Sequence, residues 1–306
     1  MHGWIILDKP LGMGSTQGVG AVKRALREGG YAKVKVGHGG TLDPLATGVL
    51  SIALGEATKL AGRMLDSDKV YEFTVAFGAE TDTLDLEGKV IAESDVRPTL
   101  AQIEAVLPQF TGPIEQVPPA YSALKVDGAR AYDLARAGAN VVLATRTITV
   151  HSLRVSASPR EPANLTRRRG DAEDEVTLTT HVSKGTYIRS LARDIARALG
   201  TVGHVTMLRR TKAGPFTLDS AISLDFLFEK SKLQCLEDIC LPMTAGLDDI
   251  PALPVTPDQA GLLRQGRVLI GIAAYDGLHL AKDGETPVAL VEAIAGNIRV
   301  VRGFNL

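Results

Sequence analysis

The feature that most constrains this chain is a glycine-rich loop that presents one carboxylate. The loop spans residues 37–50 and reads G-H-G-G-T-L-D-P-L-A-T-G-V-L. Pro44 disfavours the α region for Asp43, and the glycines permit conformations and close approaches that larger residues block. An isolated Asp-Pro pair is more often a simple surface turn. Here the whole stretch predicts that Asp43 is presented as a nucleophile and is followed by a buried strand.

The charge of the chain is balanced overall but unevenly distributed. Its 306 residues suffice for one large or two smaller domains, and 34 basic residues face 35 acidic ones. Near-neutrality argues mildly against a nucleic-acid partner. Residues 184–212, however, hold seven Lys or Arg and one acidic residue, whereas residues 219–249 hold seven acidic residues and two lysines. The pattern predicts a basic face, although ordinary solvated charges explain each arginine about equally well.

Cysteine content and hydropathy exclude several protein classes. Cys235 and Cys240 are too few for a disulfide framework or a cysteine-rich zinc site, so we expect reduced thiols. The N-terminus lacks a basic region before its short apolar run, and no apolar stretch is long enough to cross a bilayer. We therefore expect a soluble, cytoplasmic protein with no membrane association.

Hydrophobic periodicity predicts mixed secondary structure. Large apolar residues alternate with smaller or polar ones from Tyr71 to Phe77, which indicates a half-buried strand. Helices are predicted over residues 16–27, with Ser15 or Thr16 near the N-cap, and over residues 57–65, 100–107, 129–137, 187–199 and 258–264. Strands are predicted over residues 4–7, 49–54, 71–77, 139–155 in two pieces, 175–182 and 204–209. The irregular order of the elements favours an α+β fold over a regular parallel array.

Two segments of unusual composition bear on the organisation of the chain. Residues 156–174 are rich in charge and proline, which predicts an exposed loop whose arginines at 167–169 either touch RNA or, more commonly, are only solvated. Residues 248–257 contain three prolines and are predicted to be a linker. A short helix and short strands are expected after it.

The glycine-rich loop and further motifs resemble those of the TruB family of tRNA pseudouridine synthases. The other motifs occur in order along nearly the whole chain: D-K-P-L-G at 8–12, G-E-A-T-K at 55–59, K-V-Y at 69–71, T-D-T-L-D-L-E-G at 81–88, P-P-A-Y-S-A-L-K at 118–125, K-G-T-Y-I-R at 184–189 and L-R-R-T at 208–211. Gly14 and Gly39 depart from the pattern, because the family usually has Thr at both positions.

The resemblance implies a fold and a domain organisation. It implies an α+β catalytic domain over residues 1–247, with a central mixed, largely antiparallel sheet and an RNA-gripping insertion around 118–150. It also implies a small PUA-like β domain that binds RNA over residues 248–306. We expect an isomerase that converts uridine 55 of the tRNA T loop to pseudouridine by flipping the base. The reaction leaves the atom inventory unchanged, so no cofactor or metal is expected.

The resemblance also implies roles for individual residues. Asp43 forms the covalent adduct, by attack on C6 of the base or C1′ of the sugar, and the sequence leaves this choice open. Arg189 compensates its charge, since burial disfavours an ionised carboxylate that has no cation beside it. Tyr71 stacks on the uracil and its hydroxyl handles protons. The remaining roles are supporting: His38 helps displace the base, Tyr187 and Leu208 line the pocket, and Lys59 contacts the RNA backbone.

Several of these assignments have a simpler alternative. Arg189 belongs to an i, i+4, i+8 series with Arg193 and Arg197 that would form a surface stripe, Tyr71 would suit the core side of a strand, and His38 would suit a turn. Other chemistries fit poorly. Leu45 occupies the second acidic position of a dehalogenase-type phosphotransferase loop, and no G-x-x-x-x-G-K-[ST] phosphate loop is present.

Two other functions remain open alternatives. One is an RNA-binding or RNA-folding protein whose catalysis is dispensable, and the other is a guide-RNA-dependent relative that works in a multi-protein particle. This chain has no lysine-rich tail, which favours the stand-alone type. The expected partner is the T stem-loop of tRNA, with no obligatory protein partner and a monomeric state.

Overall fold

A computed structural model describes residues 1–122, 124–126, 128–139, 143–156 and 173–306. The loop predicted over residues 156–174, with its arginines at 167–169, lies almost entirely outside the described residues. Residues 140–142 of the predicted strand pair and Ala123 of the 118–125 motif also lie outside them.

The described residues form helices and strands in an irregular order. The helices are α1 Ser15–Glu28, α2 Ala61–Asp66, α3 Leu100–Val106, α4 Ala131–Arg136, α5 Ile188–Ala198, α6 Leu224–Lys232 and α7 Pro257–Arg264. The strands are β1 Gly3–Lys9, β2 Val36–His38, β3 Ala46–Leu54, β4 Lys69–Phe77, β5 Ala79–Thr81, β6 Val90–Glu93, β7 Gly112–Gln116, β8 Lys125–Val126, β9 Ala129–Arg130, β10 Arg146–Val155, β11 Glu175–Val182, β12 Gly203–Ala213, β13 Phe216–Thr217, β14 Leu241–Pro242, β15 Ala252–Pro254, β16 Leu269–Ile270, β17 Gly277–Asp283, β18 Thr286–Ile294 and β19 Asn297–Gly303. Short 3-10 helices cover Gly55–Leu60, Leu107–Phe110, Leu218–Ser220, Leu236–Ile239 and Met243–Gly246.

A ten-stranded sheet dominates the first 250 residues. Its main path runs β14-β1-β3-β12-β4-β11-β10-β7, with β2 paired to β3 and β13 paired to β12. The β3–β12 pair is parallel and the other pairs of this sheet are antiparallel. The predicted α+β class with a mixed, largely antiparallel central sheet is therefore confirmed.

Helix α5 packs on the middle of this sheet and brings one arginine with it. Apolar residues recur along it at helical spacing, and Leu191 and Ile195 are fully buried against a core that includes Phe73 and Leu178. Arg189 lies in the first turn of α5 and is also buried. The packing of this apolar face therefore fixes the position of the Arg189 guanidinium relative to the sheet.

The prediction of a linker over residues 248–257 is wrong for its central residues. Ala252–Pro254 forms β15, which pairs in parallel with β17. This strand lies at the edge of a five-stranded sheet with the order β15-β17-β18-β19-β16. Proline is tolerated on an edge strand because one side of the strand needs no donor, so the prolines did not exclude pairing.

The C-terminal sheet shares a core with the first sheet. Leu280, Leu290 and Phe304 are buried in the same apolar cluster as Trp4 and Ile6. Each buried side chain of this size contributes about 1.5–3 kcal/mol relative to exposure. Removal of the tail would therefore expose part of the core of the first sheet.

Most predicted elements lie within a few residues of the observed ones. Residues 57–65 divide between the 3-10 helix Gly55–Leu60 and α2, and helix α1 begins at Ser15 with Gly14 as its N-cap. One strand, β10, is described where two pieces were predicted at 139–155. In the described part of the chain, none of the helices is both long and apolar enough to cross a membrane.

Candidate active site

The parallel pair β3–β12 and strand β4 meet below a pocket of about 300 Å³. Strand β3 begins within the glycine-rich stretch, at Ala46, and Leu208 of β12 pairs with Ala46, three residues after Asp43. Five of the seven predicted site residues line the pocket: Asp43, Tyr71, Tyr187, Arg189 and Leu208. His38 and Lys59 do not line it.

Asp43 and Arg189 form an ion pair in the pocket wall. Arg189 Nη2 lies 2.9 Å from Asp43 Oδ2, and the side chains are 7% and 39% exposed respectively. The guanidinium also donates to the carbonyls of Thr83 at 2.8 Å and Tyr121 at 3.0 Å. Arg189 is therefore held rigidly, while the half-exposed carboxylate of Asp43 can face a ligand in the pocket.

A second carboxylate, Asp85, shares the same guanidinium. Arg189 Nη1 lies 3.2 Å from Asp85 Oδ2, and the Asp85 side chain is only 11% exposed. Thr83 Oγ1 donates to Asp85 Oδ1 at 2.5 Å, and the backbone N–H of Glu87 donates to it at 3.1 Å. Sequence reasoning did not assign Asp85 to the site. The available signal was its place in the motif at 81–88.

Lys9 forms hydrogen bonds that hold the loop carrying Asp43. Its side chain is fully buried, and Nζ donates to the carbonyls of Pro10 at 3.1 Å, Met13 at 2.7 Å and Pro44 at 3.3 Å. Burial lowers the pKa of Lys9 to about 8, although the nearby Asp43 raises it. Lys9 lies in the motif at 8–12, but sequence reasoning gave it no role in the site.

Arg210 holds the loop from the side of the sheet. This buried guanidinium donates to the carbonyls of Val49 at 2.8 Å, Thr41 at 3.1 Å and Gly40 at 3.4 Å. Gly48 lies directly against its backbone at φ +101°, and a Cβ there would lie 2.2 Å from the Arg210 carbonyl oxygen. Glycine is therefore required at position 48 by both conformation and space.

Ser15 ties helix α1 to the same loop. Its hydroxyl accepts from the Leu42 N–H at 2.7 Å and lies 2.9 Å from the Leu42 carbonyl oxygen. Ser15 lies next to the N-cap, Gly14, in agreement with the prediction, but its side chain bonds to the loop and does not cap the helix. The residue before Asp43 is thus fixed to a rigid element.

The two departures from the family motifs are accommodated locally. The Gly14 N–H donates to Gln17 Oε1 at 2.6 Å, so the start of α1 keeps one satisfied donor without a capping side chain. At Gly39 a Cβ would lie 2.5 Å from Met64 Cβ and 2.7 Å from Ser51 Oγ. These neighbours occupy the space that a side chain would need.

Aromatic side chains form other walls of the pocket. Tyr71 lies on β4, between Arg210 of β12 and Thr180 of β11 in the register. The backbone of Tyr187 is clamped by the side-chain amide of Gln116, which accepts at 2.8 Å and donates at 3.1 Å. Two aromatic rings that line one pocket suit a flat heterocycle, because stacking is tolerant of base identity.

His38 and Lys59 are engaged within the protein. The Gly40 N–H donates to Nδ1 of His38 at 3.4 Å, and burial lowers the pKa of this histidine, with the nearby Arg210 contributing. Lys59 Nζ pairs with Glu56 at 2.7 Å and donates to the Gly303 carbonyl at 2.9 Å. Lys59 thus links the two sheets, and its contact with RNA stays a prediction.

The basic region at 184–212 is largely paired. Arg189 turns inward, whereas Arg193 pairs with Asp194 at 2.8 Å and Arg197 with Glu80 at 2.9 Å. Further along, Arg209 pairs with Asp8 at 2.8 Å. The predicted stripe therefore divides between one pocket residue and two arginines that carry ion pairs.

Comparisons with known proteins find relatives along the whole length of this chain. Residues 26–188 match the family model described as TruB family pseudouridylate synthase (N terminal domain), and residues 189–248 match tRNA pseudouridylate synthase B C-terminal domain. The chain is 64% identical to tRNA pseudouridine synthase B of Novosphingobium aromaticivorans, over 100% of this chain and 98% of the relative. It is 58% identical to the protein of the same name from Zymomonas mobilis, over 100% and 96%.

Solved structures share the fold. A chain of a Cbf5-Nop10-Gar1 complex matches with a TM-score of 0.71 and 25% identity, over 99% of this chain and 85% of that one. A chain of an H/ACA RNP bound to a substrate RNA containing 2'-deoxyuridine matches with the same TM-score at 23% identity, over 99% and 85%. The second likeness supports the fold alone.

Proposed function

Because the chain belongs to the TruB family of pseudouridylate synthases, we propose that it isomerises uridine 55 in the T loop of tRNA to pseudouridine. The observation that carries this proposal is the Asp43–Arg189 ion pair in a pocket with aromatic walls. Relatives that are 64% and 58% identical along the whole chain are named tRNA pseudouridine synthase B, which supports tRNA as the substrate.

The chemistry needs one nucleophile and balanced proton transfers. The bond between N1 of uracil and C1′ of ribose breaks, and a bond between C5 and C1′ forms. C5 loses a proton and N1 gains one, so no electrons are exchanged with a cofactor. Asp43 attacks C6 or C1′ and is released when the new bond is complete. Arg189 orients the carboxylate through the ion pair and offsets its negative charge.

Tyr71 receives the uracil after it leaves the RNA stack. An extruded base needs a platform that compensates for lost stacking, and an aromatic ring provides about 1–3 kcal/mol. Tyr187 and Leu208 complete the walls of the same pocket. The hydroxyl of Tyr71 is our candidate for the proton transfer from C5.

RNA outside the pocket is bound by a wider surface. We assign base displacement to His38, a backbone contact to Lys59, and RNA gripping to the insertion around 118–150, which contains α4. Residues 248–306, with their five-stranded sheet, would act as a PUA-like domain on the tRNA beyond the T loop. The remainder, residues 1–247, is the catalytic domain in this division.

The protein is proposed to act alone. The solved neighbour with 25% identity belongs to a complex with Nop10 and Gar1, whereas the relatives with the highest identities quoted above are tRNA enzymes. We therefore favour a monomer that recognises the T stem-loop in the cytoplasm without a guide RNA or protein partner. Light scattering of the purified protein with and without tRNA tests the monomer.

Asp43→Asn tests the proposed function directly. The amide keeps the shape of the side chain but removes the anionic nucleophile, so pseudouridine formation should fall below detection while tRNA binding persists. The measurement is tritium release from tRNA labelled at C5 of uridine, together with filter binding. Asp95→Asn is the matched control, because Asp95 is exposed and does not line the pocket.

The outcomes separate the competing functions. Turnover by Asp43→Asn would remove Asp43 from the nucleophile role. A parent protein that binds tRNA but releases no tritium would instead be an RNA-binding protein. Activity that requires an added guide RNA would indicate the guide-dependent class. If uridine 55 is the modified position, a tRNA lacking it should release no tritium.

A further inference from the structure

Two histidines and one aspartate converge on the sheet outside the pocket. His151 Nε2 lies 3.1 Å from Asp68 Oδ2, and His181 Nε2 lies 3.6 Å from the same oxygen. The three ligand atoms all lie within 4.8 Å of one another. The two rings are 4.7 Å apart between centroids and are tilted by 44°. Nothing in the proposed reaction uses this cluster.

The backbone places these side chains together by pairing. Strands β10 and β11 carry the histidines, and the register shift between Val150 and Ser152 inserts His151 as an extra residue. Strand β11 pairs in turn with β4, where Val182 lies opposite Lys69. Asp68 immediately precedes Lys69. Bulges commonly re-aim a side chain, and this one coincides with the histidine that meets Asp68.

The spacing of the ligand atoms suits a tetrahedral ion. With zinc–nitrogen and zinc–oxygen bonds of roughly 2.0–2.2 Å, the ligand atoms of a tetrahedron lie about 3.3–3.6 Å apart. The two distances from Asp68, 3.1 Å and 3.6 Å, lie close to this range, and the two imidazole nitrogens lie within 4.8 Å of each other. The side chains are 37–47% exposed, so an ion can reach them from solvent.

We propose that Asp68, His151 and His181 form a binding site for a divalent transition metal, with Zn²⁺ as the best-fitting ion. Two imidazoles and one carboxylate are ligands that zinc accepts, and three protein ligands leave the fourth position to water. An ion bound there would link Asp68, in the turn at 67–68, to strands β10 and β11. Leu65 and Lys69, on either side of that turn, line the candidate active site.

Zinc binding is measured by calorimetric titration of untagged, EDTA-treated and dialysed protein with ZnCl₂. We expect one equivalent to bind. His151→Ala, His181→Ala and Asp68→Asn should each weaken binding by at least about 100-fold, because losing a ligand costs more than the 10–100-fold typical of losing a supporting partner. Because all three side chains are partly exposed, these variants should fold, which circular dichroism checks.

Two control variants separate this site from other zinc ligands. His2→Ala removes an exposed histidine elsewhere, and Cys235→Ser with Cys240→Ser removes both thiols; neither should change the titration. Zinc should also raise the Tm of the parent and leave that of His151→Ala unchanged. No zinc binding by the parent, or binding by His151→Ala and His181→Ala that is as tight as that of the parent, would overturn the proposal.

Discussion

Replacing Arg189 by Met tests whether one guanidinium compensates the negative charge of two carboxylates. The substitution preserves much of the side-chain volume but removes the cation from a site where Arg189 is 7% exposed. Asp85, at 11% exposure, then remains buried without its partner. Breaking a buried ion pair in this way costs about 3–5 kcal/mol of folding stability. Asp43 is 39% exposed, so water can solvate it and it should contribute little to this cost.

The assay is urea unfolding followed by tryptophan fluorescence. Trp4 is the single tryptophan of the chain and is fully buried, so its emission reports unfolding of the main core. The variant Arg189→Met should unfold at lower urea with an unchanged slope. Adding Asp85→Asn should restore part of the loss, because the buried charge disappears, whereas adding Asp43→Asn should restore little.

The comparison between the two double variants decides the outcome. Equal rescue by Asp43→Asn and Asp85→Asn would refute the assignment of the stability cost to Asp85, and a parent-like midpoint for Arg189→Met would refute the buried pair altogether. For catalysis, Arg189→Lys keeps the charge but cannot hold both carboxylates and two carbonyls in one planar fork. Its turnover should fall more than roughly tenfold, and full activity would contradict this geometry.

Three further predictions concern the platform, the loop support and the tail. Tyr71→Phe should bind tRNA like the parent but turn over far more slowly, whereas Tyr71→Ala should lose both; equal rates for Tyr and Phe in the tritium assay would leave Tyr71 a platform only. Burial lowers the pKa of Lys9 from 10.5 to about 8, so between these pH values the unfolded chain binds a proton that the folded protein lacks. The stability of the parent relative to Lys9→Met should therefore rise with pH across that window in urea titrations, and a constant difference would contradict the linkage. Arg299→Ser with Arg302→Ser, at two exposed positions of β19, should weaken tRNA binding and lower its salt slope by about one per lost phosphate contact; an unchanged slope would argue against RNA gripping by this sheet.

The sequence by itself determined the local elements and most of the candidate pocket. Period-2 alternation marked the strand that carries Tyr71, and turn chemistry marked the loop that carries Asp43. These signals lie within a few neighbouring residues, so they can be read without the fold. The ordered motifs then assigned Tyr187, Arg189 and Leu208 to the same site, and the structure brings all five side chains to one pocket.

Only the tertiary structure decided which charges and surfaces meet. Arg189 donates to the carbonyl of Thr83 across 106 positions, and Lys59 donates to that of Gly303 across 244. No local pattern encodes such pairs, because they depend on which strands become neighbours in the sheet. The same reason explains why Asp85, the support by Lys9 and the shared core with Phe304 were not predicted. Strand pairing, which depends on burial over the whole chain, brings residues that are distant in sequence into contact.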